Sequence, residues 1–387
     1  MKWLGAAVWL IPTIAVAGPH APVIGGSAAA PGTWPDVAAV MFAGSADCTG
    51  TLVAPTVVIT AGHCNDPTLD AVLIGTSSLA RPGDGETIPV VQRIEYPSSW
   101  TSIDVTVLVL ARPAIEPPRP IASGWVRYDI VNGAPVAFVG YGSIDKNGNT
   151  FVPELQEARS TITDFDCTTM AGCNTAAKPD GELGAGGMGI DTCPGDSGGP
   201  LYLVTDYGTF LAGVTSRGYD TAMFACSEGG IYERPDKIVD WIEAMVGGPV
   251  SHGPEPTADA IVATRGDAGE TLIAAHDPRS KSHDLAIATQ PAHGTARVRG
   301  DGYVRVCTDA DATGDDQVVV RITDADHPAR TLDLTIPITI EDGAPPRSCD
   351  VDAFSVDAGG CCDSGRGAAG SIPLSLAVLV GLRRRRR

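Results

Sequence analysis

The 387-residue sequence predicts an all-β protein, a sandwich or barrel, on three observations. Short β-branched runs recur between turn residues at 37–42, 52–60, 71–74, 105–110, 136–139, 201–204 and 210–215, a spacing that fits all-β domains better than βαβ units. Gly (46) and Pro (30) are abundant without a three-residue period, which excludes collagen and disfavours a helix-rich architecture. One helical period follows these strands. Pro235 suits its first turn, Ile238, Trp241, Ile242 and Met245 recur at helical spacing, and Gly247 with Gly248 ends it.

From the N-terminus, Lys2, an apolar run over 3–16 and Ala15-Val16-Ala17 read as a secretory signal cut after Ala17; an uncleaved anchor is the alternative. Residues 23–248 form a first domain, and 249–256 form a Gly/Pro linker. Residues 257–342 form a second β-rich unit with strands near Arg297 and over 303–307, 317–323 and 332–340. Its acids Asp309, Asp311, Asp315 and Asp316 are candidate calcium ligands, weighed against solvated acidic loops, which are the commoner case. A low-complexity tail, 343–387, carries Cys361-Cys362, an uncharged stretch over 367–382 and five terminal arginines.

Apolar residues make up 43% of the chain, enough for real cores and against wholesale disorder. The net charge is −19 with only five lysines, which argues against a nucleic-acid partner. Export permits disulfides, and the ten cysteines are an even count. No CxxC pair of metal-site spacing occurs, which argues against structural zinc, and the protease domain is expected to use no metal or cofactor.

The first domain holds one histidine, His63, at the end of an apolar run in Thr60-Ala61-Gly62-His63-Cys64. Ser197 lies in Gly195-Asp196-Ser197-Gly198-Gly199-Pro200, where glycines permit tight turns and leave amide N–H groups free to face an oxyanion. A serine needs a base to act as nucleophile, and His63 is the imidazole available in this domain. The segment also fits the G-x-S-x-G elbow of α/β-hydrolases. That reading needs a histidine after the serine and strand–helix alternation, and the next histidine is His252 in the linker. The Asp-His-Ser order of subtilisin lacks its α/β pattern here as well. An acid between His63 and Ser197 completes the remaining order. Asp104, directly before the apolar run 105–110, is the candidate; Asp66, Asp70, Asp84 and Asp129 are blander alternatives.

These segments, with Val23-Ile24-Gly25-Gly26, Cys193-Pro194 and Gly229-Gly230-Ile231-Tyr232, make residues 23–246 resemble a trypsin-like serine protease of the chymotrypsin fold. The resemblance implies two six-stranded antiparallel β-barrels with a C-terminal helix. It makes His63 the general base, Asp104 its orienter and Ser197 the nucleophile, with the N–H groups of Gly195 and Ser197 as oxyanion hole. It also implies a zymogen. Removal of a short propeptide, 18–22, would free Val23 to pair with Asp196. Asp191, Thr192, Ser216, Gly218 and Gly230 fall at the primary pocket, with Asp191 at its floor, so cleavage after Arg or Lys is expected. Disulfides Cys48–Cys64, Cys167–Cys173 and Cys193–Cys226 are expected, and Cys307–Cys349 is a further candidate.

Two departures stand out. Cys173 lies only six residues after Cys167, closer than the family's spacing, and Arg217 stands where the family usually has Trp. Segments 290–295 and 300–303 resemble bacterial cadherin-like or immunoglobulin-like β-sandwich repeats, a surface-ligand module or a spacer. The tail resembles a myxobacterial C-terminal sorting tail. Its sixteen-residue uncharged stretch would span roughly 24 Å as a helix, short of about 30 Å of hydrocarbon and suited to a transient membrane passage. The expected protein is therefore a monomeric endopeptidase acting on proteins or peptides, exported and held at the cell surface. A catalytically silent homologue used for adhesion is the rival.

Overall fold

The computed structural model describes residues 23–97, 101–174, 176–177, 181–343 and 349–351. The segments expected to be signal (1–17) and propeptide (18–22), and Cys361-Cys362, lie outside the described residues. A short strand β1 (Ser27–Ala28) precedes β2 (Val37–Phe42), β3 (Ser45–Ala54), β4 (Val57–Ala61), β5 (Leu69–Ile74), β6 (Glu86–Glu95) and β7 (Val105–Leu110). The last six close an antiparallel barrel in the order β2-β3-β4-β7-β6-β5 around Val40, Leu52, Val58, Val72, Ile74, Ile88 and Leu108.

The run over 52–60 is two strands rather than one. Pro55 has no N–H to give a ladder, so the chain turns at Pro55-Thr56 and Leu52 pairs with Val58. Strand β6 escaped the sequence reading because Pro89, Gln92 and Arg93 interrupt its apolar pattern; it is exposed over much of its length and held by pairing with β5 and β7.

The second barrel comprises β8 (Pro135–Gly140), β9 (Gln156–Asp164), β10 (Glu182–Ala185), β11 (Pro200–Val204), β12 (Thr209–Gly218) and β13 (Gly230–Glu233). Pairing in the order β8-β9-β10-β13-β12-β11 closes the ring through β8–β11, and β1 adds to the edge of β9. Val136, Phe138, Leu183, Leu201 and Tyr232 fill it. A third cluster joins the barrels: Trp34 stacks on Tyr202 at 4.8 Å, beside Ile59, Val107, Val139 and Tyr141. The helix α1 (Val239–Val246) buries Val239 and Ile242 there, and Trp241 meets Tyr96 of the first barrel edge-on. Gly247 ends the helix in the left-handed conformation, φ +70°.

Strands β14 (Ile261–Thr264), β15 (Ala268–Leu272), β16 (His283–Thr289), β17 (Gly294–Val298), β18 (Tyr303–Thr308), β19 (Gly314–Asp324) and β20 (Thr331–Glu341) form a second, β-rich domain of two sheets, β14-β20-β19-β16 and β15-β18-β17. Ile261, Val304, Val306, Val318, Val320 and Ile338 are shared between them. Beyond β20, Cys349 is bonded to Cys307 of β18. Asp316 spends its carboxylate on the amides of Ala292, His293 and Gln317.

The Gly/Pro stretch read as a linker is an ordered strap. Ser251 donates to the Val53 carbonyl and accepts from Ile121, while Gly253 donates to Ile121. Beyond the strap the two domains dock. Trp125 is fully buried, gives its indole N–H to the Ala275 carbonyl at 2.6 Å and packs with Ile322 and Leu332. Asp129 accepts from Arg279 at 2.9 Å and Arg330 at 3.4 Å.

Candidate active site

Strand β4 ends at Ala61, and a single 3₁₀ turn, Gly62–Cys64, follows it and carries His63. Asp104 lies one residue before β7. The register of the β4–β7 pair sets Ala61 against Val105, so the strand ends deliver His63 and Asp104 to one place. The His63 backbone N–H donates to Asp104 Oδ1 at 2.8 Å, and His63 Nδ1 lies 2.7 Å from Oδ2. Ser216, from β12 of the other barrel, donates its hydroxyl to the same Oδ2 at 2.7 Å. Burial works to raise the Asp104 pKa, but the bonds from His63 and Ser216 outweigh it and hold the carboxyl below its ordinary value. The Cys48–Cys64 disulfide anchors this turn to β3.

The Ser197 segment is pinned to the first barrel. Thr49 N–H donates to the Ser197 carbonyl at 2.9 Å, and the Cys64 sulfur lies 3.7 Å from that same oxygen. Gly198 has φ +78°, and a Cβ there would lie 2.0 Å from Thr60 Oγ1, so only glycine permits this approach. Gly195, at φ +96°, turns the chain, and its carbonyl accepts from Thr49 Oγ1 at 2.9 Å. Cys193–Cys226 ties the segment to the following loop.

Beneath it, Asp196 is completely buried and accepts from the amides of Gly142 at 2.7 Å and Cys193 at 2.9 Å. Burial pushes its pKa up to about 7. Val23 is also completely buried, and its φ of +32° is a strained value for a β-branched residue.

Asp191 is 3% exposed. One oxygen accepts from the Thr192 amide and the other from the amides of Ser227, Glu228 and Gly229, at 2.8–3.2 Å. Burial nevertheless dominates and pushes its pKa up to about 6. Gly218 pairs with Gly230 across β12–β13. A Cβ on Gly230 would lie 3.6 Å from Asp191, and one on Gly218 would meet open space. Thr192 Oγ1 lies 3.0 Å from the Tyr232 hydroxyl.

Arg217 does not pair with Asp191. It lies between two acids the sequence reading did not single out, Glu182 at 2.7 Å and Glu233 at 3.4 Å, both buried. These stand directly opposite each other in the β10–β13 register, so their meeting is invisible until that register is known. Burial, reinforced by the charges of Glu182 and Asp104, pushes the Glu233 pKa well above the carboxylate range. The Cys167–Cys173 disulfide closes the short loop whose Gly172 carbonyl also accepts from Arg217.

Two closed barrels with a half-buried carboxylate holding a histidine at their seam define a protein of the trypsin-like serine protease class. The trypsin family model matches residues 23–242, more than half of the chain, which belongs to that family. A bacterial Ig domain model matches residues 252–337. The chain is 33% identical over 257 residues to Serine protease 56 of Mus musculus, over 61% of this chain and 40% of that protein. It thus spans well under half of that relative's length.

Proposed function

We propose that this chain is an exported serine endopeptidase working through His63, Asp104 and Ser197. The observation that carries the reading is the double hydrogen bond from His63 to Asp104, locked by Ser216, beside the pinned Ser197 segment. Asp104 holds the proton on His63 Nδ1, leaving Nε2 as base. Ser197 Oγ attacks the scissile carbonyl carbon as Nε2 takes its proton. The carbonyl oxygen becomes an oxyanion facing the N–H groups of Gly195 and Ser197. Collapse returns the proton to the leaving amine and leaves an acyl-enzyme, which water hydrolyses by the same steps. A covalent serine-hydrolase probe tests the reading: the enzyme labels at Ser197 only, whereas a silent adhesion homologue does not label.

Cleavage after Arg or Lys is supported by the buried Asp191 carboxylate beside Gly218 and Gly230. Activation by removal of residues 1–22 is supported by the burial of both Val23 and Asp196. The freed α-amino group would supply the cation that Asp196 lacks among the described residues, and would relieve the strain at Val23. The bond after Pro22 is not tryptic, so another protease makes that cut. The second domain docks to the protease and offers a surface for ligands, and the protein works as a monomer. The tail passes transiently through the membrane and is processed, leaving the enzyme at the cell surface near Cys361 or Cys362.

A further inference from the structure

We propose that Arg217 is a positioning residue for the His63–Asp104 pair, acting through the Ser216 hydroxyl, and that Glu182, Glu233 and the short Cys167–Cys173 loop hold it there. This rests on the catalytic reading above. A guanidinium has five N–H donors. Here Nε and one Nη2 hydrogen go to the Gly172 carbonyl, at 3.3 and 2.8 Å, and the other Nη2 hydrogen goes to Glu182 Oε1 at 2.7 Å. Nη1 gives one hydrogen to Glu233 Oε1 at 3.4 Å and one to Ser216 Oγ at 3.0 Å. The donors are therefore spent on the protein, which disfavours Arg217 as the recogniser of an acidic substrate residue.

The bond to Ser216 has a direction. Because Arg217 can only donate, Ser216 Oγ accepts from it and turns its own hydrogen to Asp104 Oδ2, 2.7 Å away. Asp104 is thus held by His63 on one side and by a fixed hydroxyl on the other. The titratable and charged groups near this set are His63, Arg217, Glu182 and Glu233. Arg217 is the cation between Glu182 and Glu233, which face each other across β10–β13, and it also acts on Asp104. The two departures from the family pattern are then one device: the short loop brings the Gly172 carbonyl to the guanidinium that replaces the usual Trp.

The test is the pH profile of kcat and kcat/KM, normalised to the serine sites counted with a covalent probe, so that misfolded protein does not enter. In Arg217→Met the loss of the cation that acts on Asp104 should move the acidic limb of kcat/KM up by about one pH unit. Loosening of the carboxylate should lower kcat by roughly 10- to 100-fold, with a smaller change in KM. Arg217→Lys keeps the charge but not the fork, so it should keep the limb and lose kcat. In a Ser216→Ala background the kcat effect of Arg217→Lys should largely vanish. A rise in KM with kcat and the limb unchanged would make Arg217 a subsite wall and overturn the proposal, as would undiminished kcat loss in the Ser216→Ala background. If the methionine variant does not fold, the lysine variant and the Ser216→Ala cycle decide alone. Full activity of a His63→Ala enzyme would instead sink the catalytic reading.

Discussion

At the residue scale, the two buried aspartates beside Ser197 differ in what they lack. Asp191 already accepts amide bonds on both oxygens, yet burial lifts its pKa to about 6, so it ionises fully only above that pH. In the proposed pocket an Arg side chain would bind the ionised form. KM for Arg substrates should therefore rise as the pH falls through about 6, while KM for a matched Ala substrate stays flat; parallel profiles would remove Asp191 from recognition. Asp191→Ser should lower kcat/KM for Arg peptides by roughly 30- to 5,000-fold, the cost of truncating one partner of a buried charge pair.

Asp196 gives a stability prediction. Its folded pKa of about 7 is raised above 3.8, so the stability it contributes is present at low pH and lost as the pH rises through 7. Pairing with a freed Val23 amine removes that loss. The melting temperature of a Ser197→Ala protein should be higher after removal of residues 1–22 than before, and the gap should widen from pH 5 to pH 7.5. A gap that does not change with pH would rule out the pair. In the proposed triad, Ser197→Ala or His63→Ala should cost on the order of 10⁶ in kcat, and Asp104→Asn roughly 10⁴ through the wrong imidazole tautomer. Single-turnover assays on peptide substrates measure both.

At the scale of elements, the site depends on how closely the Ser197 segment approaches β3 and β4. Gly198→Ala adds a methyl 2.0 Å from Thr60 Oγ1 at φ +78°, so the segment must shift. Activity should fall by about 10²-fold, since small misplacements of reacting groups are costly, while the far-UV circular dichroism stays unchanged. Near-normal activity would mean that the segment has slack. The disulfides Cys48–Cys64 and Cys193–Cys226 brace the two sides of the same junction, and losing either should cost about 2–5 kcal/mol.

At the scale of the molecule, the second domain is built against the first. Trp125 is fully buried at their junction. Trp125→Ala should cost about 3–5 kcal/mol, as large aromatic truncations in cores do. Because the cost falls on the junction, calorimetry should show one domain melting earlier than in the parent protein; an unchanged trace would argue against docking in solution. The tail is tested by truncation after Val351, since cutting at 343 would strand Cys307 without Cys349. The truncated enzyme should be active in the medium. Continued cell association would assign anchoring to the second domain.

The sequence alone determined the all-β fold class and the family, and it singled out the residues on which the proposed chemistry rests. Local strand patterns and motif order around His63, Asp104 and Ser197 are short-range properties, written wherever alternation, glycine and a reactive side chain coincide. The helix with its glycine stop followed from that level, whereas the cysteine pairs were implied by the family resemblance and the turn that splits the run over 52–60 was missed. Tertiary structure decided what depends on register and burial. Glu182 and Glu233 read as ordinary strand acids until pairing sets them opposite each other and encloses them with Arg217. Polar strands such as β6 and β9 carry little apolar signal of their own and exist because their neighbours complete their ladders. The strap after α1 looked free because its composition is that of linkers, but its amides and carbonyls are satisfied by Val53 and Ile121, residues far away in sequence. Long-range hydrogen bonding and desolvation leave no mark on a local pattern, and those two effects set the electrostatics around Asp104.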